Sequence, residues 1–522
     1  MKIKPVRIHS LFLLFFILVQ IIPADAQSRE KCDVLTGYEI HGMNIRVTRT
    51  EWRQNFTLPP NPPGPPVNDV FPPHCHIEGE IDKRSGHDGK LFAIGFALNL
   101  PADWNGKFMF QGGGGLNGSV REPLGLKATG KIPALSRGFA VASTDSGHRG
   151  TMEFDASFLA DQEAAMNFYY LAIEKVTVAA KKIIADYYGR EPGYSYFVGC
   201  STGGREGMIM SQRYPFYYDG IVSGAPAIRT GLSNLALKWI SVLLNQVAKR
   251  DDAGKIIPGS AFTDVQRQSI IDAILKSCDA DDGITDGLVF DTLGCRFDPD
   301  ALMCQSDNGD NCITTQQAEA LKEAFSGPKD SRGFQVYPGF PFDTGINAKG
   351  KIPGLLRGGT SPVDPTAATA TEMDVDAEAL AVSNQGSILG DSTWTNLTSF
   401  SGNGGKLIFY HGVSDAWFSV LDTIRYYEEM SAVNGGMEQV RDWSRAFLVP
   451  GMTHCDGGES LDNFDMVSAI VEWVENAQPP ERVISTGIAF PGRSRPLCPY
   501  PDFAYYRGVG DPEDAANFEC RD

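Results

Sequence analysis

Gly199-Cys200-Ser201-Thr202-Gly203 is the stretch that decides how this chain folds. Gly-x-Ser-x-Gly is the pattern of a nucleophile elbow, a sharp strand-to-helix turn that pushes a serine hydroxyl into the open. The flanks suit that turn. Residues 194–198 are aromatic and β-branched and predict a strand, and residues 204–213 predict a helix. A cysteine precedes the serine, and far downstream a second one follows a histidine, in His454-Cys455. A Cys200–Cys455 disulfide would hold Ser201 beside His454. One catalytic signal and one covalent signal then converge on the same pair.

Working outward, residues 91–99, 107–110 and 139–144 predict strands. Residues 161–186 have helical apolar spacing. From 229 to 398 the strand–helix rhythm stops. Helical stretches at 235–249, 264–276 and 315–323 mix there with loops rich in Gly, Pro and Asp. The rhythm resumes with a strand at 406–410, a helix at 421–432, a strand at 446–449 and a helix at 462–476. Strands alternating with helices build a parallel sheet, so the chain predicts one α/β domain carrying a large insert. Residues 58–73 are proline-rich and predict an extended loop. No internal repeat occurs.

A serine hydroxyl is a poor nucleophile until a base takes its proton and a carboxylate orients that base. His454 and Asp415 each follow a predicted strand, in Pro450-Gly451-Met452-Thr453-His454-Cys455 and His411-Gly412-Val413-Ser414-Asp415. The order Ser201, Asp415, His454 is that of the α/β-hydrolases. Asp145 and His148 precede the nucleophile and are expected as scaffold or pocket-wall residues. His411 is expected to be a buried, hydrogen-bonded histidine rather than a second base. The run Gln111-Gly112-Gly113-Gly114-Gly115-Leu116-Asn117-Gly118 follows a strand and offers backbone amides for one arm of an oxyanion hole. Gly114 is the candidate donor there, with the amide of Thr202 as the other arm. No Lys-Ser/Thr follows the glycines, which argues against a phosphate loop.

Asp279, Asp282 and Asp286 crowd into an acidic, glycine-punctuated turn. Oxygen ligands in that density suit calcium, but the spacing is not that of an EF-hand. Spacing alone fits a solvated acidic turn equally well.

Residues 1–26 have a basic start, an apolar core and a small-x-small end at Ala24-Asp25-Ala26, and predict a cleaved secretory signal. Without them 43 basic residues face 63 acidic ones, a balance of −20. That argues against nucleic acid or an anionic membrane surface as partner. All ten cysteines follow the signal, and an even count in an exported chain favours disulfides. Proximity suggests Cys278–Cys295, Cys304–Cys312 and Cys498–Cys520. Cys32–Cys75 and Cys200–Cys455 would remain, although sequence does not fix connectivity. A secreted or periplasmic protein follows, its oligomeric state left open.

Together these residues resemble the tannase and feruloyl esterase family. The marks are Gly-Cys-Ser-x-Gly-Gly-Arg at 199–205, Arg213-Tyr214-Pro215, Tyr218-Asp219-Gly220-Ile221, Gly224-Ala225-Pro226, His411-Gly412-x-x-Asp415 and Pro450-Gly451-Met452-x-His454-Cys455. The resemblance implies an α/β-hydrolase fold with a catalytic domain at 27–228 and 399–522. It implies a lid at 229–398, inserted between nucleophile and acid. It implies the disulfide beside the triad. It also implies a structural Ca²⁺ in the lid, held by the side chains of Asp279, Asp282 and Asp286 and the carbonyls of Ile284 and Leu288; no organic cofactor is called for. The substrate would be a small aromatic acid ester: hydroxycinnamoyl, galloyl, or a terephthalate monoester. An amidase, peptidase or lipase on the same scaffold is the enzymatic alternative. A catalytically inactive binding protein is the non-enzymatic one.

Overall fold

The strand leading into the elbow, β6 (Tyr194–Cys200), is buried on both faces beyond its first residue, as a central strand of a parallel sheet must be. The computed structural model describes residues 24–58, 70–86, 88–305, 310–350, 352–358 and 364–522. In it β6 sits within a nine-stranded sheet. The others are β1 (Ile45–Arg53), β2 (His74–Ser85), β3 (Leu91–Pro101), β4 (Lys107–Gln111), β5 (Ala140–Thr144), β7 (Gly220–Gly224), β8 (Lys406–Gly412) and β9 (Ser444–Val449). Their spatial order is β1-β2-β3-β5-β4-β6-β7-β8-β9. From β5 to β9 every neighbour is parallel. β1, β2 and β3 are antiparallel to each other, and β3 to β5. This is an α/β-hydrolase fold.

The register matters for function. Cys200 lies level with Gly224, and Gly224 with Tyr410, so the strands end together and their following loops meet at one rim. Open α/β sheets bind ligands at that carboxyl rim. Between β7 and β8 the chain leaves the sheet for residues 225–405. Helices Thr230–Gln246, Asp264–Cys278 and Thr315–Ser326 there pack around Leu237, Ile240, Ile274, Leu321 and Phe325. Two of them begin with capping boxes, Thr263 with Gln266 and Thr314 with Gln317. Ala416, next to Asp415, belongs to this second core, so the insert grips the loop after β8.

Three features depart from the sequence expectations. The helix expected over 161–186 is broken into Gln162–Met166, a π-helical turn at Asn167–Leu171, and Ala172–Tyr188. The buried Arg205 guanidinium donates to the carbonyls of Phe168 and Tyr169 in that turn at 3.0 and 3.4 Å. β1 and β2 go beyond the strands the sequence predicts, because their charged residues mask the alternation that pairing brings out, β1 with β2 and β2 with β3. The small C-terminal strands were also missed, among them Phe503–Tyr506 paired with Phe518–Arg521. Residues 1–23 of the expected signal and 59–69 of the proline-rich loop lie outside the described residues. All five disulfides are present in the expected pairing, and Cys200–Cys455 spans the site.

Candidate active site

Ser201 stands between β6 and the helix Thr202–Arg213 with φ 67° and ψ −125°. Few side-chain-bearing residues adopt that backbone. The neighbouring glycines make it feasible. A Cβ at Gly203 would lie 2.8 Å from the Gly113 carbonyl oxygen, and one at Gly199 would collide with Gly203. The turn is tied down by the Ser201 amide, which donates to the Gly224 carbonyl at 3.0 Å. The helix beginning at Thr202 leaves its first amides unpaired within the helix and directs them toward the serine.

Asp415, on the loop after β8, is 1% exposed. Its Oδ1 accepts the amides of Trp417 at 2.8 Å and Phe418 at 3.0 Å. Its Oδ2 lies 2.7 Å from His454 Nδ1 and 3.2 Å from His411 Nε2. Burial alone would push this carboxyl up. The adjacent His454 imidazole and the hydrogen bonds from His411 and His454 outweigh burial and hold it well below the usual carboxylate range. With Nδ1 donating to Asp415, His454 Nε2 is the acceptor nitrogen, and it has no hydrogen-bond partner among the described residues. His454 is buried against the rings of Trp417 and Phe418, with centroids 4.9 and 5.3 Å away.

Two supporting contacts had no local signature in the sequence. His411, expected only as a buried histidine, orients the acid directly. Its Nε2 also faces the Phe418 carbonyl at 3.0 Å and its Nδ1 the Thr423 hydroxyl at 2.9 Å, which places its proton on Nε2. Asp343, from the insert, accepts from the Ser414 hydroxyl at 2.6 Å and the Gly451 amide at 2.7 Å. That carboxylate clamps the loops bearing Asp415 and His454.

The glycine run packs against the elbow, but not through the donor expected. The Gly114 amide is already given to Asn117 Oδ1 at 2.8 Å, and the Gly113 amide to Glu206 Oε2 at 2.8 Å. Gly112 donates to the Val198 carbonyl at 2.9 Å. Gly115, at φ 59°, is the member of the run whose amide makes no hydrogen bond among the described residues. Its carbonyl accepts the Thr202 hydroxyl. Glu206 is fully buried and also accepts from Asn117 at 2.7 Å and Ser146 at 3.2 Å, so it braces the loop from below. Asp145 and His148 stand apart from the triad. Asp145 accepts the amides of Gly95 and Gly147, and His148 stacks on Phe158.

A family model described as tannase and feruloyl esterase matches residues 75–361 and 360–521. The chain belongs to the tannase and feruloyl esterase family. It is 37% identical to mono(2-hydroxyethyl) terephthalate hydrolase of Piscinibacter sakaiensis, covering 86% of this chain and 85% of that one. It is 28% identical to feruloyl esterase B of Aspergillus niger, over 81% and 82% of the two chains. Among solved structures, feruloyl esterase B from Aspergillus oryzae superposes with a TM-score of 0.78 at 24% identity, covering 95% of this chain and 100% of that one. Tannin acyl hydrolase from Aspergillus niger gives 0.71 at 21%, covering 94% of each. The protein is a carboxylic ester hydrolase.

The acidic turn lies in the loop closed by Cys278–Cys295. Asp279 and Asp282 are buried and accept backbone amides, from Gly287 at 3.0 Å and Phe290 at 2.8 Å respectively. Burial first, then the charges of Asp286 and Asp279, push the Asp282 carboxyl up to about 7. The carbonyls of Ile284 and Leu288 accept no hydrogen bond among the described residues. The oxygen donors thus suit a hard cation. Asp286 differs, since its carboxylate pairs with Arg495 and lies 3.5 Å from Arg493. Among the described residues no three His, Cys, Asp or Glu side chains converge as a ligand set.

Proposed function

We propose that the protein hydrolyses esters of small aromatic carboxylic acids through an acyl-enzyme on Ser201. The observation that supports this most is the His454 imidazole: buried Asp415 holds one nitrogen, and the other is unpartnered beside an elbow serine tied to it by Cys200–Cys455. In this reading Ser201 Oγ attacks the ester carbonyl while His454 Nε2 takes its proton. The tetrahedral oxyanion accepts the Thr202 amide, and Gly115 rather than Gly114 supplies the second donor. His454 then passes the proton to the leaving alcohol. Water, deprotonated by the same nitrogen, releases the acid and regenerates Ser201.

Aromatic acyl groups are favoured by what stands between the two arms of the site. Phe154 lies against Gly115, where a Cβ would come within 3.6 Å of its ring. Trp417 lies against His454, and the Phe154 and Trp417 rings meet edge to face at 5.5 Å. A ring held there gains stacking contacts that an aliphatic acyl chain does not. The test is a panel of methyl ferulate, methyl gallate, mono(2-hydroxyethyl) terephthalate and methyl butyrate. The aromatic esters should have the higher kcat/KM. Preference for the butyrate would overturn the acyl assignment and leave the ester hydrolase intact. The terephthalate monoester has its own support in the 37% identical relative.

Export agrees with five disulfides and with the absence, among the described residues, of a helix long and apolar enough to cross a membrane. Calcium in the 279–288 loop is part of the same proposal, held by the side chains of Asp279 and Asp282 and the carbonyls of Ile284 and Leu288, with Asp286 turning from Arg495 to complete the set. Without a cation, a carboxyl raised in the folded state keeps a proton that the unfolded chain loses. Stability should therefore fall as pH rises from about 4 towards about 7. Chelated protein should melt lower at pH 8 than at pH 5, and excess calcium should restore roughly 5 °C at pH 8. Asp282→Asn should abolish the calcium response. A melt insensitive to chelator, with no calcium in dialysed protein, would leave Asp286 neutralised by Arg495 alone.

A further inference from the structure

A cavity lies outside the catalytic site, between β2, β3 and the chain that continues the glycine run. Its volume is about 390 Å³, within the range of roughly 300–1,000 Å³ usual for small-ligand sites. Glycines make the room. Gly79, Gly95, Gly118 and Gly150 all line it, and a Cβ at Gly95 would collide with Asp145 Oδ2. The walls are polar, with carboxylates and guanidinium groups interleaved.

Most of those charges are already paired, and Asp145 is held by the backbone amides of Gly95 and Gly147. Glu122 meets Arg53 at 2.8 Å and His76 at 3.4 Å. Glu80 meets Arg149 at 3.1 Å, and Glu78 meets His76 at 3.1 Å. An incoming anion would face the carboxylates, and an incoming cation would have to displace guanidinium partners; neither is favoured. Hydrogen-bonding capacity nevertheless remains. Glu78 Oε2, Glu122 Oε2 and Asp145 Oδ2 receive no hydrogen bond from the protein among the described residues. Asp145 and His76 are each 2% exposed, and both line the cavity. Arg121 and Arg149 add donors at its mouth, and Val120 a short apolar face. Fixed acceptors beside fixed donors, with the glutamates already paired, match a ligand that offers several hydroxyls, each able to donate and accept.

We infer that this cavity is a binding site for a neutral polyhydroxylated ligand, a sugar unit, separate from the Ser201 site. Its wall is mechanically continuous with the catalytic loop. Arg121 lies over Gly114, within 3.1 Å of where a Cβ would be, and the Gly118 amide donates to the Asp145 carbonyl at 3.0 Å. The site could therefore hold the enzyme against a saccharide surface without occupying the acyl pocket.

The test is calorimetric titration of the intact protein with D-glucose, D-xylose, L-arabinose and cellobiose. At least one should bind saturably, with Kd of about 1 mM. Ser119→Trp, at an exposed lining position, should block the cavity, and Glu80→Gln with Arg149→Ala should weaken binding roughly tenfold. Hydrolysis of 4-nitrophenyl acetate should be unchanged in both variants, which shows that they fold. No saturable sugar binding would overturn the inference. So would binding that survives in both variants, or a response to inorganic phosphate or calcium chloride equal to that with sugar.

Discussion

Ser201→Ala should lower ester hydrolysis by roughly four to six orders of magnitude while leaving the melting temperature near that of the unchanged protein. The hydroxyl is the only atom removed, and the left-handed backbone at Ser201 is set by its glycine neighbours and the amide bond to Gly224 rather than by the side chain. Methyl ferulate turnover per mole of purified, folded protein decides it. A residual rate within tenfold of the original would mean that another group attacks the carbonyl. Hydrolysis above the uncatalysed rate should persist, because Thr202 and the glycine loop still offer amides to the oxyanion.

Asp415→Asn should cost roughly ten-thousand-fold in kcat, with a much smaller change in KM. Oδ2 faces two imidazole nitrogens, His454 Nδ1 and His411 Nε2. An amide NH₂ placed there can satisfy His454 only if its proton moves to Nε2, and that nitrogen then cannot accept the serine proton. Shape is conserved, so the loss reports the tautomer and not a cavity. His411→Gln should cost less, because Trp417 and Phe418 amides still anchor Oδ1. Equal losses in the two variants would make His411 a partner in proton transfer.

Much of this site was legible because its signals are local. A nucleophile elbow needs small residues within two positions of the serine, since the helix start and the glycine loop approach to van der Waals contact there. The acid and the base each close a strand, and strands buried on both faces are apolar runs that stand out in sequence. The disulfides followed from proximity and from the position of Cys200 and Cys455 beside the catalytic pair.

What failed to show in the sequence depends on contacts between distant segments. Asp343 looks like any loop aspartate until the insert folds back and places it between Ser414 and Gly451. Glu206 follows a buried arginine in a helix, and only packing turns its carboxylate toward the Gly113 amide. The same packing ties Gly114 to Asn117 and leaves Gly115 open, a choice among four identical residues that composition cannot make. The sequence by itself determined the hydrolase fold and the chain order of Ser201, Asp415 and His454, because short-range sterics and strand burial constrain residue type, whereas the cysteine connectivity needed the structure. Tertiary structure alone decided which amide is free, which carboxylates clamp the loops and where the cavity beside β2 and β3 lies. Those depend on which side chain packing aims at each amide, from Asn117 three residues past Gly114 to Glu206 and Asp343, 93 and 108 residues from Gly113 and Gly451, and the same side chains would be solvated elsewhere.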